Sequence, residues 1–82
     1  MNDILRLSGL FAGESCIVDK VESSPGIRRR LQDMGLIPGT RVQCLFKSPY
    51  GDPCAYLIRG AVVALRNCDA DDIVVSHKSG GV

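Results

Sequence analysis

Apolar residues return with a period of two along most of the chain and with a helical period over one stretch only. In the segment 40–47, Val42, Cys44 and Phe46 fall on one face, with Arg41, Gln43, Leu45 and Lys47 on the other. Cys54, Tyr56 and Ile58 then alternate with Ala55, Leu57 and Arg59, and Val63 and Leu65 return beyond Arg59-Gly60. That dipeptide suits a tight hairpin, because glycine accepts the positive φ such turns require. Upstream, Cys16-Ile17-Val18-Asp19-Lys20-Val21 is a β-branched run that predicts a strand. Its alternation breaks between Val18 and Val21, so a bulge is expected there, and whether Ile17 or Val18 points inward stays open. Ile73-Val74-Val75 predicts a closing strand after a short turn or 3₁₀ element over 67–72.

The helical stretch lies between the first two strands. Ser24 suits an N-cap, Pro25 the first helical position and Gly35 the left-handed residue after the last turn. Between them Ile27, Leu31 and Met34 recur at i, i+4 and i+7, which predicts a helix over 25–34 with these three residues buried. Leu36 can fold back over the helix end, and Pro38 prevents continuation.

About five short strands and one inserted helix predict a mainly β fold, a small, partly open barrel that hides most of its edges. The expected core is Leu7, Val18, Ile27, Leu31, Leu36, Val42, Cys44, Tyr56, Ile58, Val63, Leu65, Ile73 and Val75. Residues 1–76 are expected to form one domain and 77–82 a flexible tail with nothing to bury. Eighty-two residues allow a single small core and leave little room for a deep catalytic cavity.

Composition narrows the function classes. The formal net charge is +1, which gives no general drive toward nucleic acid or an anionic membrane. No apolar run approaches the roughly 20 residues of a membrane helix. The opening Met1-Asn2-Asp3-Ile4-Leu5 lacks the basic start and apolar centre of a secretory signal, so a cytoplasmic location is expected. Cys16, Cys44, Cys54 and Cys68 include no CxxC pair, which favours reduced, core-packed thiols over a zinc site or a disulfide.

Catalytic chemistry is thin. The single histidine, His77, falls in the expected tail, where it cannot be pre-organised beside a nucleophile. Asp69, Asp71 and Asp72 suit a solvated turn better than an ion site. The glycines match neither a dinucleotide nor a P-loop fingerprint. No catalytic, cofactor or metal residue is therefore assigned, and an enzyme is not expected.

What remains is surface. Arg28-Arg29-Arg30 cannot share one helix face; Arg28 and Arg29 point away from the apolar stripe. If Val42, Cys44, Phe46, Tyr56 and Ile58 face in, Leu45 and Leu57 face out on neighbouring strands, and Val62 and Val74 follow the same logic. Leu45 and Leu57, with Arg28, Arg29 and Arg41, form the candidate partner surface, an apolar centre with a charged rim suited to a protein contact or to self-association.

Several segments together resemble the ferrous iron transport protein A (FeoA) family. Arg30-Leu31 followed by Met34-Gly35-Leu36-Ile37-Pro38-Gly39-Thr40 is similar to its signature, Pro49-Tyr50-Gly51-Asp52-Pro53 to its P-x-G-D-P loop, and Arg59-Gly60 with Ala64-Leu65-Arg66 to its hairpin. Ile73-Val74-Val75 matches its closing strand. The resemblance implies an SH3-like barrel and a small cytosolic accessory protein of bacterial ferrous iron uptake. Its implied partner is the cytosolic part of FeoB, the ferrous iron permease that carries a GTP-binding domain. The same domain ends iron-dependent repressors of the diphtheria-toxin-repressor type, which leaves a stand-alone metal-binding or repressor-like module as the alternative. No winged-helix part accompanies it here. The signature residues have structural explanations, and the cysteines lie outside the pattern, so no metal ligand is inherited.

Overall fold

The computed structural model describes residues 5–50 and 52–80, with side chains through Ser76. Six strands form one antiparallel sheet: β1 (Leu5–Arg6), β2 (Glu14–Val21), β3 (Arg41–Lys47), β4 (Cys54–Ile58), β5 (Ala61–Leu65) and β6 (Ile73–Gly80). Their order is β1-β6-β2-β3-β4-β5, so β1 and β5 end a curled, barrel-like sheet that is not closed. A 3₁₀ turn at Leu7–Gly9, helix α1 (Pro25–Asp33) and one short turn of helix, α2 (Asn67–Ala70), complete the elements among the described residues. The mainly β, partly open barrel expected from periodicity holds, and with it the SH3-like class that the family resemblance implies; the two-residue β1 is a sixth strand.

Alternation places Cys16, Val18, Val42, Cys44, Tyr56, Ile58, Ile73 and Val75 in one core with Leu7, Leu10, Leu31, Leu36 and Leu65. Val18 faces inward and Ile17 is half-buried. The bulge expected after Val18 is present: the pairing of β2 with β6 shifts between Val18 and Lys20. Val63 is only partly buried, against the core's edge.

A second bulge corrects the reading of β3. Cys44 pairs with Tyr56, but Phe46 pairs with Ala55, so Leu45 is an extra residue. The slip turns Phe46 away from the core, to 60% exposure. Lys47 exchanges sides with it, and its ammonium donates to the Ser8 carbonyl at 3.0 Å and stands 5.8 Å from the Phe11 ring centroid.

Helix α1 begins at Pro25 as expected, although the Ser24 side chain makes no capping hydrogen bond. Its end follows the two-bond pattern of a left-handed cap: Leu36 N–H donates to the Leu31 carbonyl at 3.1 Å and Gly35 N–H to that of Gln32 at 3.0 Å. Leu31 and Leu36 are both fully buried, completing the cap with an apolar contact side. Ile27 is a correction. It is 39% exposed, because the helix meets the core only through its last turn, and Leu31 is its sole buried residue. Met34 is half-buried against the core, and Arg28 and Arg29 are exposed as expected.

Gly35 has φ +105°, and a Cβ there would stand 3.0 Å from Ile58 Cγ2 and 3.4 Å from Arg59 Cδ. Gly35→Ala therefore combines backbone strain with a clash and is expected to cost about 1–3 kcal/mol. The shift of the urea midpoint at unchanged m-value measures it.

Two further expectations differ from the structure. Val74 faces away from the core as expected, yet it is buried. Its cross-strand neighbours are Arg6 and Lys20, and both pair with Glu22, so long side chains tied to one carboxylate roof the valine. The hydrogen bond from Arg6 holds the Glu22 carboxyl below its usual range. The tail boundary expected at His77 falls inside β6, whose Ser79 and Gly80 pair with Ser15 and Glu14. Residues 1–4, 51 and 81–82 lie outside the described residues, as do parts of the expectations for the N-terminal segment, the Gly51 loop and the tail.

Candidate protein-docking groove

The loop after α1 is fastened to β2 by two main-chain bonds, Gly39 N–H to the Val18 carbonyl and Val18 N–H to the Thr40 carbonyl, both 2.8 Å. Pairing of Val42 with Ile58 brings this loop beside the β4–β5 turn, where Arg59 (φ +51°) and Gly60 (φ +82°) make a two-residue hairpin of the expected kind. Between loop and turn opens a groove of about 600 Å³. It is lined by Ile37, Pro38, Gly39, Thr40, Arg41, Gln43, Leu57, Arg59 and Gly60.

The lining mixes apolar and polar residues, and its only charged side chains are Arg41 and Arg59, with no carboxylate among the nine residues. Arg41 reaches the Ser15 hydroxyl at 3.5 Å, and among the described residues neither arginine is in an ion pair. An exposed cationic rim around Leu57, Ile37 and Pro38 can accept an apolar side chain next to a carboxylate.

Of the residues singled out from sequence, Arg41 and Leu57 meet in this groove. Leu45 is half-buried at the β3 bulge and is not part of the lining, and Arg28 and Arg29 sit exposed on α1 apart from it. Arg59 and the loop residues Ile37 and Pro38 were missed as surface. The turn signals at Pro38-Gly39 and Arg59-Gly60 were legible, but their adjacency is set by the β3–β4 register. On the sheet's outer face Val62 lies opposite Leu57, and the turned-out Phe46 opposite Ala55. Val62 is 66% exposed, so the apolar surface extends beyond the groove onto β5.

The thiols divide three to one. Cys16, Cys44 and Cys54 are buried and unbridged, whereas Cys68, on α2, is exposed. Burial pushes the Cys16 thiol up to about 12 and raises Cys44 as well, which makes both poor nucleophiles near neutrality. Burial likewise raises the Tyr56 phenol, whose hydroxyl lies near the core thiols without a hydrogen bond of ordinary geometry. Asp71 accepts from Ser8 at 3.0 Å and Asp72 from Ser23 at 3.2 Å. Among the described residues no three His, Cys, Asp or Glu side chains converge as a metal site would require.

Comparison with known proteins settles the lineage. The FeoA domain matches over residues 5–77. The chain belongs to the FeoA family. A Porphyromonas gingivalis Fe(2+) transport protein A/Fe(2+) transporter FeoB fusion protein is 34% identical over 71 residues, 87% of this chain. The chain spans only 8% of that relative's length. The solution structure of FeoA from Chlorobium tepidum, 36% identical, superposes with a TM-score of 0.83 over 88% of this chain and 69% of that one. Stenotrophomonas maltophilia FeoA, solved in complex with zinc and described as a prokaryotic SH3 domain protein, gives 0.84 at 27% identity, over 95% of this chain and 99% of that one. The FeoA family is one of small accessory domains of ferrous iron transport, and the resemblance read from the sequence signature is thereby established. Among the described residues no helix is long and apolar enough to cross a membrane.

Proposed function

We propose that this FeoA domain acts in the cytoplasm as an accessory and regulatory protein of ferrous iron uptake, docking on the cytosolic part of the FeoB permease rather than catalysing a reaction. The observation that carries this reading is the fusion of the two proteins into one chain in the Porphyromonas gingivalis relative, which keeps an FeoA domain permanently beside its permease. The groove supports it physically. Leu57, Ile37 and Pro38 offer an apolar seat, and Arg41 and Arg59 offer charge that no described carboxylate neutralises.

Titrating the chain against full-length permease tests this. Binding is expected, and Leu57→Asp and Arg41→Glu should each weaken it by about tenfold or more, equivalent to ~1.4 kcal/mol, with circular dichroism unchanged. Absence of binding by the folded domain overturns the reading. The zinc complex of the Stenotrophomonas maltophilia protein supports a metal-binding alternative. In this chain three of the four thiols are buried, which favours docking.

A further inference from the structure

We propose that the outer edge of β5 is a strand-addition site, taking an extended segment of a partner protein whose middle is uncharged and whose ends carry carboxylates. It deepens the docking reading, on which it rests only in taking the occupant to be a protein.

β5 ends the sheet order and, among the described residues, has a neighbour, β4, on one side alone. The two-residue turn makes Ile58 and Ala61 the first hydrogen-bonded pair, so the bonds to β4 fall at Ala61, Val63 and Leu65. Val62 and Ala64 therefore direct their N–H and C=O groups away from β4. Both residues are exposed, and among the described residues neither takes another main-chain partner.

Edge strands in monomeric domains usually carry a lysine, a proline, a bulge or an inward charge that discourages pairing. β5 carries none of these. Its sequence is Ala-Val-Val-Ala-Leu, and its ladder to β4 runs through all five residues without a register shift. Such an edge is competent to accept an extended segment through main-chain hydrogen bonds, with alternate side chains packing beside it. On the outer face that segment would continue the apolar row formed by Leu57 and Val62.

The ends of the strand select the occupant. Arg59 precedes β5 and Arg66 follows it; both are exposed, and among the described residues neither is in an ion pair. A second copy pairing antiparallel about Val63 would place Gly60 opposite Arg66 and crowd arginines of the two chains at both ends of the ladder. A segment with Asp or Glu at its ends converts both positions into attractive pairs. Charge complementarity thus favours an acid-ended partner strand over self-pairing.

The test uses the full chain, isotope-labelled, and an acetylated, amidated peptide with a Thr/Val-alternating middle and Glu at each end. A peptide with Lys at each end serves as control. In the free chain the Val62 and Ala64 amides should exchange rapidly, and the Glu-ended peptide should slow both by about tenfold or more. The Lys-ended peptide should bind about tenfold more weakly. Ala64→Pro removes an outward N–H without touching a bond to β4 and should abolish the slowing at Val62. Should that variant fail to fold, Arg66→Glu should narrow or reverse the preference between the two peptides. Slow exchange at Val62 and Ala64 in the dilute free chain, equal affinity for both peptides, or perturbations confined to other elements would overturn the proposal. Peptide binding retained by Arg41→Glu is the expected result and separates the edge from the groove read out by the permease titration.

Discussion

Leu31→Ala will lower the unfolding free energy by about 2–5 kcal/mol, read as a fall in the urea midpoint at constant m-value. Leu31 has no exposed surface and is the one residue through which α1 enters the core. Its carbonyl also accepts the Leu36 N–H that terminates the helix, so the cavity opens at the joint between helix and barrel. Against a total stability of roughly 5–15 kcal/mol for a small domain, the loss is large. It corresponds to a fall in Tm of some 8–40 °C, taking about 4–8 °C per kcal/mol. Ile27→Ala, one turn earlier and 39% exposed, should stay within about 0.5 kcal/mol. Equal losses from the two variants would contradict the packing described for α1.

Alkaline pH will destabilise the fold through its buried thiols. The Cys16 thiol ordinarily ionises near 9.0, and burial in the core, with the neighbouring Cys44, moves it to about 12. Between those values the unfolded chain releases a proton that the folded chain retains. Unfolding therefore becomes easier as pH rises, with a slope approaching about 1.4 kcal/mol per pH unit for each such thiol. Cys44 and Tyr56 are raised in the same direction and add to the slope. Stability from this source is complete below about pH 8 and is progressively lost as pH climbs toward 12. Chemical denaturation at pH 8 to 11 under reducing conditions measures it, and Cys16→Ala should flatten the decline relative to its own value at pH 8. A profile that is flat for the parent chain would show that these thiols are not sealed from water in the folded state.

Much of the fold was legible because it depends on local chemistry. Pro25 and Gly35 fixed both ends of α1, Arg59-Gly60 marked the hairpin, and strict alternation assigned Val42, Cys44, Tyr56 and Ile58 to the core. The errors share a cause. Phe46 alternates perfectly in sequence, but a single extra residue in β3, visible only against its partner β4, turned it outward. Ile27 has the right helical spacing, yet spacing cannot tell how much of a helix the barrel covers. Val74 was placed on the correct face, but its roof comes from Arg6 and Lys20, on strands far apart in sequence. Of the candidate surface, Arg41 and Leu57 were found by alternation, whereas Arg59 read only as a turn residue, because its place beside Pro38 follows from the β3–β4 register.

The shallow seating of α1 has an evolutionary side. A helix held at one end only is a cantilever, and the positions along its free length answer to almost no packing constraint. Gly26, Arg28, Arg29, Arg30 and the half-free Ile27 are all exposed on it. Such positions can be rewritten at little thermodynamic cost, whereas Leu31, Gly35 and Leu36 cannot. The same barrel can thus present a differently charged arm in each lineage, changing whom it meets without renegotiating how it folds.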